Sequence, residues 1–108
     1  MYRSGNVFVK NVFCGIIFET EEGYFFSYDK NYVENTQAEA VSITLPLSNS
    51  TYTSKTLFAF FDGLIPEGWL LNIAEINWKI NHNDRMGLLL ACCKDSIGAV
   101  SIIANEEL

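Results

Sequence analysis

Three short apolar runs separated by two tight-turn signals open the chain, and they constrain its fold more than any other feature. Val7-Phe8-Val9, Cys14-Gly15-Ile16-Ile17-Phe18 and Tyr24-Phe25-Phe26-Ser27-Tyr28 are rich in aromatic and β-branched residues. Such residues suit a pleated surface. Lys10-Asn11 parts the first two runs and Glu21-Glu22-Gly23 the second two. Both are short enough to reverse the chain. The first third is therefore predicted to be an antiparallel meander.

The pattern then changes. Residues 29–40 are polar, with a short helical turn predicted at Lys30-Asn31-Tyr32-Val33. Val41-Ser42-Ile43-Thr44-Leu45 alternates and is predicted to be a strand, ended or held at an edge by Pro46. Residues 48–53 form a polar loop. Thr53 or Ser54 is predicted to cap a helix through Leu57, Phe58, Phe60 and Phe61, closed by Asp62-Gly63. Pro66 suits the first position of a second helix. Trp69, Ile73, Ile76 and Ile80 follow at helical spacing and share one face. Asn81-His82-Asn83-Asp84 interrupts, and Asp84 is placed to cap a third helix through Met86, Leu89, Leu90 and Cys93. Lys94-Asp95 reads as a turn, residues 98–104 as a last strand and 105–108 as a polar tail. Strands, then helices, then a strand predict an α+β fold: a mostly antiparallel sheet with about three helices packed on one side. No linker or repeat interrupts the chain, so one domain over 1–108 is expected.

Composition narrows the function classes. At 108 residues and 49% hydrophobic, the chain is long and apolar enough to bury a core without staples. Its cysteines, Cys14, Cys92 and Cys93, are odd in number and lack framework spacing. Buried free thiols in a reducing compartment are the economical reading. The start lacks the apolar stretch of a signal peptide, and no run approaches the ~18 apolar residues of a membrane span. A soluble, cytoplasmic protein that does not meet a membrane is expected. The net charge is −6, and the seven basic residues are scattered. Binding to nucleic acid needs clustered cations to neutralise phosphates, so direct contact with it is disfavoured. A basic protein surface is a better match. The alternative, that the charge only keeps the chain soluble, stays open.

The ingredients of catalysis are missing from the sequence pattern. The single histidine, His82, sits between asparagines in a predicted loop, where a solvated turn residue is the default. Cys92-Cys93 has no nearby histidine to make a metal set. Glu21-Glu22 and Glu106-Glu107 fall in a turn and a tail. No glycine-rich phosphate loop is present. The expectation is a binding protein, not an enzyme, with no catalytic residue, metal or cofactor.

Two stretches carry more specific information. One is Ser42-Ile43-Thr44-Leu45-Pro46-Leu47, then Leu57-Phe58-Ala59-Phe60-Phe61-Asp62-Gly63-Leu64-Ile65-Pro66-Glu67-Gly68. The other is Asp95-Ser96-Ile97-Gly98-Ala99-Val100, one helix beyond Leu88-Leu89-Leu90. In this order they resemble the first N-terminal subdomain of the HipA family of bacterial toxin kinases, over about residues 7–104. In that family a kinase core follows; here the sequence ends at Leu108 with no ATP loop or catalytic aspartate after it. The resemblance implies a stand-alone HipS-like antitoxin of a split, HipBST-type toxin–antitoxin system. It implies as partners a HipT serine/threonine kinase toxin and, in the same complex, a HipB-like helix-turn-helix DNA-binding protein. It also leaves open an assembly subunit that completes a truncated HipA-like kinase without inhibiting it, or an unrelated acidic adaptor of like fold.

One departure from the family pattern points to a contact site. After Glu67-Gly68 the chain continues Trp69-Leu70-Leu71. Successive helical positions lie 100° apart, so three bulky apolar residues in a row cannot all face one core. Tryptophan is also enriched at binding hot spots. Glu67, Gly68, Trp69, Leu70 and Leu71 are therefore the expected partner-binding residues, with Trp69 blocking the kinase near its active site. The competing reading makes Trp69 part of the core with Ile73, Ile76 and Ile80. Trp78, on the opposite side of that predicted helix, is its counterpart. Apolar residues on the strands could also serve the partner, and the isolated domain could then self-associate.

Overall fold

A computed structural model describes residues 3–65, 83–93 and 99–105. β1 (Ser4–Val9), β2 (Val12–Thr20) and β3 (Gly23–Tyr28) form the antiparallel meander that the turn signals predict. β4 (Tyr52–Ser54) and β5 (Val100–Ala104) add to its edges, giving the order β4-β3-β2-β1-β5 with every neighbouring pair antiparallel. The β1–β2 reversal holds Lys10 at φ 51° and Asn11 at φ 67°. Two left-handed residues in a two-residue loop match the right-handed twist of the flanking strands. Gly23, at φ 140°, opens β3 in a conformation that disfavours a side chain.

Three helices are present among the described residues. α1 (Lys30–Glu34) begins where the Asp29 side chain accepts from Tyr32 N at 3.1 Å. α2 (Ala59–Asp62) ends at Gly63, and α3 (Arg85–Cys92) starts where Asp84 accepts from Gly87 N at 3.1 Å. These carboxylates satisfy N–H groups that a helix start leaves unpaired. Tyr32, Phe61, Met86, Leu88 and Leu89 share one buried cluster with Val7, Ile17, Phe26, Tyr28 and Ile102. The register places those five strand residues on one face of the sheet, so the helices lie on that side. Gly5 shows how closely α3 approaches. A Cβ there would sit 2.7 Å from Leu90 Cδ2 and 2.8 Å from Ile102 Cγ2. The α+β fold with helices on one side of an antiparallel sheet is as the sequence predicts.

Three local expectations are corrected. Val41-Ser42-Ile43-Thr44-Leu45 is not a strand but a tight turn with a single bridge, Ser42 to Leu45. Its backbone is spent locally: Leu45 N donates to Ser42 O at 3.1 Å and Thr44 N to Ser42 Oγ at 3.2 Å. A serine that bonds the backbone just after it competes with a strand ladder. The strand lies instead in the polar run, where Tyr52, Thr53 and Ser54 pair with Phe26, Phe25 and Tyr24. Thr53 and Ser54 are therefore not helix caps. α2 begins after Phe58 with no side-chain cap. The core expectation for its phenylalanines holds most fully at Phe61, with Phe58 and Phe60 half-buried against the cluster. The predicted helix of Trp69, Ile73, Ile76, Trp78 and Ile80, together with His82, the Lys94-Asp95 turn and residues 106–108, lies outside the described residues.

Candidate partner-binding surface

The predicted contact residues Glu67, Gly68, Trp69, Leu70 and Leu71 also lie outside the described residues. The chain on either side of residues 66–82 is well anchored. Before it, Leu64 N donates to Phe61 O at 3.0 Å and Ile65 N to Asp62 O at 3.2 Å, and the Ile65 side chain is buried. After it, Asp84 caps α3. Two links join these anchors: Arg85 Nε donates to Asp62 Oδ1 at 2.6 Å, and Cys93 Sγ donates to Leu64 O at 3.4 Å. The described elements on either side of residues 66–82, α2 and α3, are thus tied to each other.

A second ion-pair group fixes the start of α3. Arg3 donates from Nη1 and Nη2 to Asp84 at 2.9 and 2.8 Å, and from Nε to Glu19. Hydrogen bonding to Asp84 first, then to Glu19, raises the Arg3 pKa. The same guanidinium holds the Asp84 carboxyl below its usual range, against the opposing effect of partial burial. The thiols behave in the opposite way. Burial pushes Cys14 and Cys93 up to about 12 and raises Cys92 as well, so all three stay protonated and poorly nucleophilic at neutral pH. All three cysteines are free. Among the described residues, no three His, Cys, Asp or Glu side chains are grouped to hold a metal ion. No helix among them is long and apolar enough to cross a membrane. A groove of about 850 Å³ runs along the β2–β3 turn, lined by Glu21, Glu22, Tyr24, Thr53 and Lys55 among others.

The sheet face away from the helices mixes apolar and uncharged polar side chains. Following the register, Ser4, Asn6 and Phe8 of β1 lie beside Phe13, Ile16 and Phe18 of β2, with Phe25 and Ser27 of β3, Thr53 of β4 and Ser101 and Ile103 of β5. None of these is charged. Phe18 stacks on Phe25 at 5.1 Å between centroids, and Phe8 meets Phe13 edge-on at 5.9 Å. Ile16 and Ile103 flank Asn6 and are exposed, at 37% and 42%. The polar groups here bond to one another: Asn105 Nδ2 donates to Ser4 Oγ and Asn6 Oδ1, and Thr51 Oγ1 to Ser27 Oγ. A partner covering the strand residues of this face would desolvate no charged side chain among them, which lowers the cost of burial, while Glu21, Glu22 and Lys55 border Phe25 and Thr53 at one end.

Sequence reasoning raised strand residues as an alternative contact surface without naming them. The signal lay in continuous apolar runs such as Ile16-Ile17-Phe18 and Phe25-Phe26. A strand with water on one side alternates, whereas an unbroken apolar run marks a strand with two apolar faces. Ile43, placed in a predicted strand by the sequence, stands 97% exposed at the tip of the 41–45 turn.

Comparison with known proteins agrees with this geometry. Residues 5–103 match the family model described as the HipA N-terminal domain. A solved structure, the N-terminal domain of HipA toxin, is similar with a TM-score of 0.74 and 32% identity, over 98% of this chain and 95% of that one. An uncharacterized protein of Haemophilus influenzae is 35% identical over 107 residues, 99% of this chain and 97% of that protein. A family match across residues 5–103 and a solved structure of like fold at 32% identity lead to one conclusion: the chain belongs to the HipA N-terminal domain family.

Proposed function

We propose that this chain is an antitoxin-type binding protein that binds and neutralises a separate HipA-like kinase of the HipT type. In this reading it is one domain over 1–108, cytoplasmic, not an enzyme and without a cofactor. Trp69, flanked by Glu67, Gly68, Leu70 and Leu71, enters the kinase near its active site and obstructs it. A HipB-like helix-turn-helix protein joins the same complex and makes the DNA contacts for which this acidic chain is unsuited.

The observation that carries the reading is a domain of the HipA N-terminal family whose sheet face away from the helices carries aromatic and aliphatic side chains and no charged strand residue. Val12, Ile16, Ile43 and Ile103 are large apolar side chains left exposed. Of these, Ile16 and Ile103 lie either side of Asn6 on the sheet face away from the helices and suit protein contact better than substrate chemistry. The Haemophilus influenzae relative, itself of domain size, supports a life as a separate chain. The test is co-expression of the chain with a HipA-like kinase encoded beside it, reading growth and complex formation. Binding with restored growth supports neutralisation. Binding with the kinase still toxic defeats it.

A further inference from the structure

Ile43 is the most exposed large apolar side chain among the described residues, and its setting is unusually well built. A single exposed aliphatic residue normally needs no explanation. Here the turn beneath it is held at both ends by one buried hydroxyl. Tyr28 OH donates to Leu45 O and accepts from Val41 N at 2.9 Å. Val41 and Leu45 are buried on either side of the tip. Within the turn, Leu45 N donates to Ser42 O, and the Ser42 and Thr44 hydroxyls bond each other at 2.9 Å. Nearby, Tyr32 OH donates to Glu39 O at 2.8 Å and accepts from Glu39 N at 2.9 Å, and Tyr52 OH donates to Pro46 O at 2.7 Å. Three tyrosines thus fix the backbone from Glu39 to Pro46. The side chain they display is β-branched, with little rotamer freedom left to lose.

Charge narrows what Ile43 can meet. No charged residue lies between Glu39 and Lys55, in a chain with thirteen acidic and seven basic residues. The turn therefore offers a neutral apolar knob rimmed by Ser42 and Thr44 hydroxyls. Its complement is a neutral apolar pocket with hydrogen-bonding groups at the rim, not a phosphate backbone or a basic patch. A rigid display of this kind lowers the ordering cost of binding.

We propose that Ile43, on its tyrosine-clamped turn, is a second anchor for the partner kinase, inserting into a neutral apolar pocket of that protein. This rests on the proposed function and adds a contact separate from Glu67 to Leu71. The test measures affinity of the purified chain for a HipA-like kinase encoded beside it, by titration calorimetry, for wild type, Ile43→Ser and Ile43→Leu. Melting temperature and sedimentation are recorded for each. The expected result is an unchanged melting temperature and monomer content for Ile43→Ser. Its binding should be weaker by about tenfold or more, as for loss of a buried anchor. Ile43→Leu should recover most of the affinity. Wild type and Ile43→Ser binding within twofold would overturn the anchor and leave the proposed function standing. A wild type that does not bind would overturn both. A lowered melting temperature for Ile43→Ser, or a change in self-association in place of affinity, would also overturn it, by giving Ile43 a role in the fold or between copies.

Discussion

At the scale of single residues, Tyr28 carries more of the structure than its place at the end of a strand implies. Burial pushes its hydroxyl up to about 12, so it stays neutral and both donates and accepts. Tyr28→Phe leaves the buried Val41 N–H and Leu45 carbonyl unpaired. It should cost about 1–3 kcal/mol, read as a lower urea midpoint with unchanged slope. Asp84 serves α3 in two ways, as cap and as partner of Arg3. Asp84→Ala should cost about 1–2 kcal/mol, the usual loss for an N-cap, with the ion pair adding little because both side chains are more than a third exposed. Because the folded pKa of Asp84 is depressed, its contribution is complete above the unfolded value of about 3.9 and is lost as pH falls through the folded value. Melting temperatures measured down through that range should fall more steeply for wild type than for Asp84→Asn. The thiols offer a cheaper check. Cys92 is half-buried while Cys14 and Cys93 are fully buried. Iodoacetamide followed by mass mapping should therefore modify Cys92 first in the native protein and all three alike in urea.

At the scale of elements, what was legible depended on whether packing or local chemistry chose the structure. The meander was legible because its turns carry their own signals, Lys10-Asn11 and Gly23, and its strands bury residues that could not be left in water. α3 was legible because Asp84 announces its start and Met86 and Leu89 its buried face. β4 was not, because an edge strand that pairs on one side needs no apolar alternation, and Tyr52-Thr53-Ser54 looks like a loop. The 41–45 turn was not, because two buried residues four apart satisfy a strand pattern and a clamped turn equally. Of the proposed contact residues, Glu67 to Leu71 were named from sequence, while Ile43 was absorbed into a predicted strand. Packing also sets the expected energetics of these elements. Leu89→Ala, at a fully buried position of α3, should cost about 2–5 kcal/mol, whereas Ile16→Ser, partly exposed on the opposite face of the central strand, should cost only about 1 kcal/mol in urea unfolding.

At the scale of the whole molecule, the two faces of the sheet divide the labour. One face builds the core with α1, α2 and α3. The other keeps its aromatic pairs, Ile16 and Ile103 without a charge among them. The net charge of −6 matches a basic protein surface better than a phosphate backbone. The most direct test of the antitoxin reading is growth of cells expressing a HipA-like kinase encoded beside this chain, alone and with wild-type or Trp69→Ala forms, with pull-down from the same cultures. The reading predicts that wild type binds and restores growth, while Trp69→Ala remains folded and soluble but leaves growth arrested. A wild-type chain that neither binds the kinase nor restores growth would contradict it, and the likeness to the HipA toxin domain would then be one of family and fold without that function.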